Sequence, residues 1–140
     1  MIIAVDFDGT IVENKYPQIG KEIPFAISTL KKLQFDGHLL ILWTVREGKS
    51  LEEAIAFCRQ HGIEFYAINR NYPEETVNSI IHCRKVNADF FIDDRNVGGL
   101  PDWDIIYKMI SEGLSYKELV FHLRPKKRKG LFHFFKITKI

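Results

Sequence analysis

Four short apolar runs punctuate the first two thirds of the chain: IIAVD (2–6), LLILWT (39–44), EFYAI (64–68) and DFFID (89–93). Each is continuous or nearly so, which is the pattern of a strand buried on both faces. Helix-period stretches lie between them. Residues 24–35 place Ile27, Leu30, Leu33 and Phe35 near one face, and Asp36-Gly37 closes the segment. Ser50-Leu51-Glu52-Glu53 has the form of a capping box. It opens a helix through Ala54, Ile55, Phe57 and Cys58, closed by Gly62. Residues 76–84, with Val77, Ile80 and Ile81, predict a third helix, and 102–110 a fourth. Ser115-Tyr116-Lys117-Glu118 repeats the box before a fifth, ending near Leu123. Strands that alternate with helices give an α/β domain: a doubly wound, Rossmann-like parallel sheet with helices on both faces.

With 140 residues, 46% of them hydrophobic, the chain suits one compact domain without disulfide support. Its two cysteines, Cys58 and Cys83, lie far apart in helical patterns. They fit a reduced, cytoplasmic setting and offer too few ligands for zinc. No signal-peptide pattern is visible, and no apolar run approaches the ~20 residues of a transmembrane segment. The net charge of +2 hides an asymmetry. Residues 1–123 carry 13 Lys/Arg against 18 Asp/Glu, whereas 124–140 carry 7 Lys/Arg and no acid. The reading is therefore a domain over 1–123 and a basic, aromatic tail over 124–140.

In open parallel sheets ligands bind beyond the carboxyl ends of the strands. There the sequence places Asp6, Asp8, Gly9 and Thr10 after the first run, Thr44 at the end of the second, and Asp93 and Asp94 after the fourth. Alone, each has an ordinary explanation as a turn or capping residue. Together, four carboxylates converging on one edge would repel strongly. A divalent cation relieves that repulsion, and an all-oxygen donor set favours Mg²⁺. Lys85, just upstream of the fourth run, reaches the same edge if its helix ends over it.

These residues, in this order, resemble the motifs of the haloacid dehalogenase (HAD) superfamily of phosphotransferases. Asp6-Phe7-Asp8-Gly9-Thr10 matches its DxDx[TV] motif, Thr44 its strand-end Ser/Thr, Lys85 its lysine, and Asp93-Asp94 its acidic pair. The match spans roughly residues 2–95. FIDDRNVGGLPDW is similar to small HAD-like hydrolases of bacteria and phages. The resemblance implies a phosphatase. Asp6 would be the nucleophile that becomes an aspartyl phosphate, and Asp8 the acid and then base for the leaving oxygen and water. Mg²⁺ would bind Asp6, the Asp8 carbonyl, and Asp93 with support from Asp94. Thr44 would bond a phosphate oxygen, and Lys85 would offset charge, with Arg84 a competitor for that role. Backbone N–H groups from Phe7 to Gly9, with Thr10 beside them, and those of Val45 and Arg46 after Thr44, would cradle the phosphate. An intact second Asp argues for phosphoester hydrolysis rather than dehalogenation. The retained nucleophile also argues against a pure binding module.

The two intervals where HAD caps insert are short here: 11–22 suits a flap and 69–84 a loop plus one helix. The protein thus resembles the capless type, in which the substrate is large or a neighbouring subunit of a homo-oligomer covers the site. Lys15 and Tyr16 in the flap, the loop from Asn69 to Glu74, and Arg95-Asn96 are further candidate contacts. The tail, RPKKRKGLFHFFKITKI, has three readings: a solvated run whose Phe residues pack on the body or another subunit, a nucleic-acid contact, or an anionic-membrane contact. The nucleic-acid reading makes the enzyme an end-processing phosphatase.

Overall fold

The computed structural model describes residues 1–76 and 85–123, with side chains described up to residue 119. The expected third helix, with Arg84 and Cys83, and the tail at 124–140 lie outside the described residues. So do the nucleic-acid and membrane readings of that tail.

The strands are β1 (Ile2–Val5), β2 (Leu39–Leu42), β3 (Ala67–Ile68) and β4 (Phe90–Ile92). They form one all-parallel sheet in the order β3-β2-β1-β4. The helices are α1 (Ala26–Phe35), α2 (Gly48–Gln60), α3 (Trp103–Glu112) and α4 (Tyr116–Leu123). Three boundaries differ from the sequence reading, each for a local reason. Phe25 sits in the left-handed region at φ 66°, so α1 starts at Ala26 rather than 24. Ser50 lies inside the first turn of α2, its hydroxyl donating to the Glu47 carbonyl at 2.8 Å, so that box does not open the helix. The third strand is shorter than 64–68, because the Glu64 N–H goes to the Gln34 side chain and the ladder begins at Tyr66. The second capping box does form: Glu118 N–H donates to Ser115 Oγ, and Ser115 N–H to Glu118 Oε2.

The core follows from strand alternation. Ile3, Val5, Leu40, Leu42 and Ile92 join Ala26, Leu30 and Leu33 of α1, Ala54 and Cys58 of α2, and Trp103, Ile106 and Ile110 of α3 in one buried cluster. Ala4 and Ile41, on the other face, are buried as well. Among the described residues no helix is long and apolar enough to cross a membrane.

Register fixes what lies at the carboxyl edge. Val5 pairs with both Leu42 and Ile92. One step on, Asp6 emerges beside Asp93 on one side and Trp43 on the other. The edge is thus aligned by backbone hydrogen bonds, including Asp6 N–H to the Ile92 carbonyl at 3.0 Å. Residues 11–23 fold over it as a two-stranded flap, bridged Val12 to Glu22 and closed by Glu13 N–H on the Lys21 carbonyl at 2.7 Å.

Leu30 is fully buried in the middle of the cluster on α1. Leu30→Ala is expected to destabilise the fold by about 2–5 kcal/mol, read from urea unfolding midpoints.

Candidate functional site

The carboxylates of Asp6, Asp93 and Asp94 each bring an oxygen within 4.8 Å of the others. Asp6 leaves the end of β1 and the acidic pair follows β4, so the cluster is a direct product of the β1–β4 register. Two contacts seat Asp94. Its N–H donates to the hydroxyl of fully buried Thr10 at 3.0 Å. Its carboxyl group packs against Gly9, where φ is +86° and an added Cβ would fall 2.6 Å from Asp94 Cγ. Gly9 is therefore the residue that admits Asp94 to the cluster. Asp93 Oδ1 accepts the Arg95 N–H at 2.8 Å, which shapes the acidic loop.

The electrostatics are unfavourable without a cation. Asp6 is pushed from the usual 3.8 up to about 7, first by burial, against the pull of the Phe7 N–H, and further by the charges of Asp93, Asp94 and Asp8. Among the described ion pairs none reaches Asp6, Asp93 or Asp94. Asp94 Oδ1 is buried and has no hydrogen-bond partner. A buried carboxylate oxygen without a donor is costly. An orphaned oxygen, a glycine that opens the space beside it and an all-oxygen donor set together fit a hard divalent cation.

Asp8 is placed differently from the sequence reading, which brought four carboxylates together. Its carboxylate turns away from the cluster into a fork with Arg46: Nε to Oδ2 at 2.6 Å and Nη2 to Oδ1 at 2.7 Å. The chain bends between Asp6 and Asp8, and a buried guanidinium offers Asp8 the opposite charge. The Arg46 side chain is thus part of the site, whereas the sequence pointed only to its backbone. The signal was there, in an arginine two residues past Thr44.

Thr44 stands at the β2 end as expected. Its N–H is held by Asn69 Oδ1 at 2.8 Å, and its hydroxyl accepts the Arg46 N–H at 3.2 Å while keeping its own proton to donate. Val45, beside it, is exposed. Some donors of the expected backbone cradle are already engaged within the protein. The Phe7 N–H serves the Asp6 carboxylate, Gly9 N–H bonds the Val12 carbonyl at 2.7 Å, and Thr10 N–H bonds the Phe7 carbonyl at 3.4 Å. The tight turn that follows β1 uses these donors itself. The Arg46 N–H is likewise taken by Thr44.

Lys85 is not paired with Asp6. Its ammonium lies over the Phe91 ring, 4.2 Å from the centroid. Phe91 pairs with Ala4, so alternation puts it on the same sheet face as Asp6. Arg70, from the loop after β3, points back onto its own loop carbonyls, including Ile68 at 3.3 Å. Asn69, at φ 53°, is the loop residue that reaches the site.

No protein-family model matches the chain, and the comparison with curated proteins gives no match. Among solved structures it is similar to the conserved protein coded by a locus of Bacteroides thetaiotaomicron: 60% identity, TM-score 0.77, covering 85% of this chain and 96% of that one. At that identity and coverage the chain belongs to the same family as that protein.

Two outcomes follow from the cluster. A raised Asp6 value means the folded state holds that proton more tightly than the unfolded chain does. Its contribution to stability is therefore fully present below about pH 4 and lost as pH rises to about 7. Without divalent cations, Asp6→Asn should raise the melting temperature more at pH 8 than at pH 5, and added divalent cation should raise that of the wild type more at pH 8. Gly9→Ala, which forces Asp94 aside, should weaken cation binding at least about tenfold in calorimetric titration.

Proposed function

We propose that the chain is a Mg²⁺-dependent phosphoester hydrolase of the HAD type, built on a doubly wound HAD-like domain with no cap and working through an aspartyl phosphate on Asp6. The observation that carries this reading is the convergence of Asp6, Asp93 and Asp94 at the carboxyl edge of a parallel sheet. The motif order through Asp6-Phe7-Asp8-Gly9-Thr10, Thr44, Lys85 and Asp93-Asp94 supports it.

Asp6, Asp93 and Asp94 would hold Mg²⁺, which supplies the positive charge that lets an anionic phosphate approach a carboxylate. An Asp6 oxygen attacks phosphorus and the ester P–O bond breaks. The leaving oxygen takes its proton from the Asp8 carboxyl. In the second half, the Asp8 carboxylate takes a proton from water, whose oxygen attacks the phosphorus. Inorganic phosphate leaves and the Asp6 carboxylate returns. Each Asp8 oxygen accepts one Arg46 N–H and keeps a further lone pair for that proton. The Thr44 hydroxyl donates to a non-bridging phosphoryl oxygen. Lys85, over Phe91 on the Asp6 face, would offset the negative charge gathered there.

The test is turnover of p-nitrophenyl phosphate with Mg²⁺. Asp6→Asn should lower it by about a thousandfold or more, as loss of a nucleophile does. Undiminished turnover in that variant overturns the assignment.

A further inference from the structure

Arg46 is the largest fully buried side chain in the described structure, at 0% exposure. All five of its N–H donors are engaged. Two grip Asp8, at 2.6 and 2.7 Å. One Nη1 proton goes to the Pro17 carbonyl at 2.9 Å and one Nη2 proton to the Gln18 carbonyl at 2.9 Å, both in the flap. The last reaches the Ser50 carbonyl in the first turn of α2, at 3.3 Å. Aromatic rings flank the guanidinium, with Phe7 at 4.9 Å and Tyr16 at 5.3 Å. The turn after β1, the flap and the first turn of α2 thus meet on one planar cation.

Because its donors are saturated, the Arg46 side chain has none left for a phosphate. We infer that Arg46 is a positioning residue that couples Asp8 to the flap, so that the Asp8 carboxyl and residues 16–18 hold their places together or lose them together. Removing either partner leaves a buried charge uncompensated. If Asp8 lets go, the guanidinium must find water, and the carbonyls of Pro17 and Gln18 lose their donors. If the flap lifts, the fork that aims Asp8 loosens. Arginine is required because only a planar fork can serve a carboxylate and three carbonyls at once. Tyr16, 56% exposed and stacked on this cation, is then held as a fixed wall beside Asp8, at the end of the site where a leaving group must depart.

The catalytic half of this inference rests on the phosphatase reading; the coupling half does not. Two variants test them, Arg46→Lys and the isosteric Asp8→Asn, each first shown to melt cooperatively. The structural readout is tryptic cleavage at the Lys15–Tyr16 bond of the native protein, followed by mass. Asp8 makes no side-chain bond to the flap, yet both variants should speed this cleavage by roughly tenfold or more, as expected for losing a local restraint. Unchanged cleavage in both overturns the coupling whether or not the protein hydrolyses phosphoesters. In a wild type whose activity depends on Asp6, Arg46→Lys should lower kcat about 100-fold, as expected for a misplaced group, with KM changed less than about threefold. Cation affinity should be unchanged in calorimetric titration. Turnover within twofold of wild type overturns the positioning role.

Discussion

The crowding of three carboxylates at one sheet edge is the constraint on which the rest of this architecture depends. Parallel register brings Asp6 and Asp93 together whatever their charges, because Val5 and Ile92 are paired one step earlier. Burial then raises the cost of ionising Asp6. The surrounding residues fit a site organised for a cation rather than against repulsion. Gly9 gives up a side chain so that Asp94 can enter, and the Thr10 hydroxyl fixes the backbone of Asp94. No described lysine or arginine forms an ion pair with the three. Arg46 is committed to Asp8.

That commitment separates the two aspartates of the first motif. Asp6 faces the acidic cluster, and Asp8 faces a buried guanidinium. Two carboxylates two residues apart thereby acquire opposite electrostatic surroundings, which is what different chemical roles require. The same guanidinium reaches the flap and the first turn of α2. The flap stem has a second anchor, Glu22 on His61 Nε2 at 2.8 Å, and the His61 ring lies against Phe57. The mouth of the site is therefore bordered by a flap fixed at both ends in the described structure, although no cap domain is present among the described residues.

Much of this was legible from local pattern. Apolar runs ending in Asp6, Thr44 and Asp93 pointed to buried parallel strands and to the edge where they finish. The Ser115 box formed as written, since capping needs only residues three apart. The Ser50 box did not open its helix, because the helix starts at Gly48, two residues earlier, and the Ser50 hydroxyl donates back to the Glu47 carbonyl. The third strand was over-read for a related reason. A side chain thirty residues away, Gln34, took the N–H that the ladder needed.

By itself, the sequence determined the alternation of strands and helices and the identity of the carboxylates at the strand ends. Periodicity and strand-end position are local properties of a chain. The tertiary structure alone decided which carboxylates meet. It sent Asp8 to Arg46, kept Lys85 over Phe91, and closed the N–H groups of Gly9 and Thr10 into their own turn. The physical reason is that a charge or an unpaired donor settles on the nearest complementary group in space. In a fold that joins residues 8, 17, 18, 46 and 50 on one guanidinium, that neighbour cannot be read from spacing along the chain.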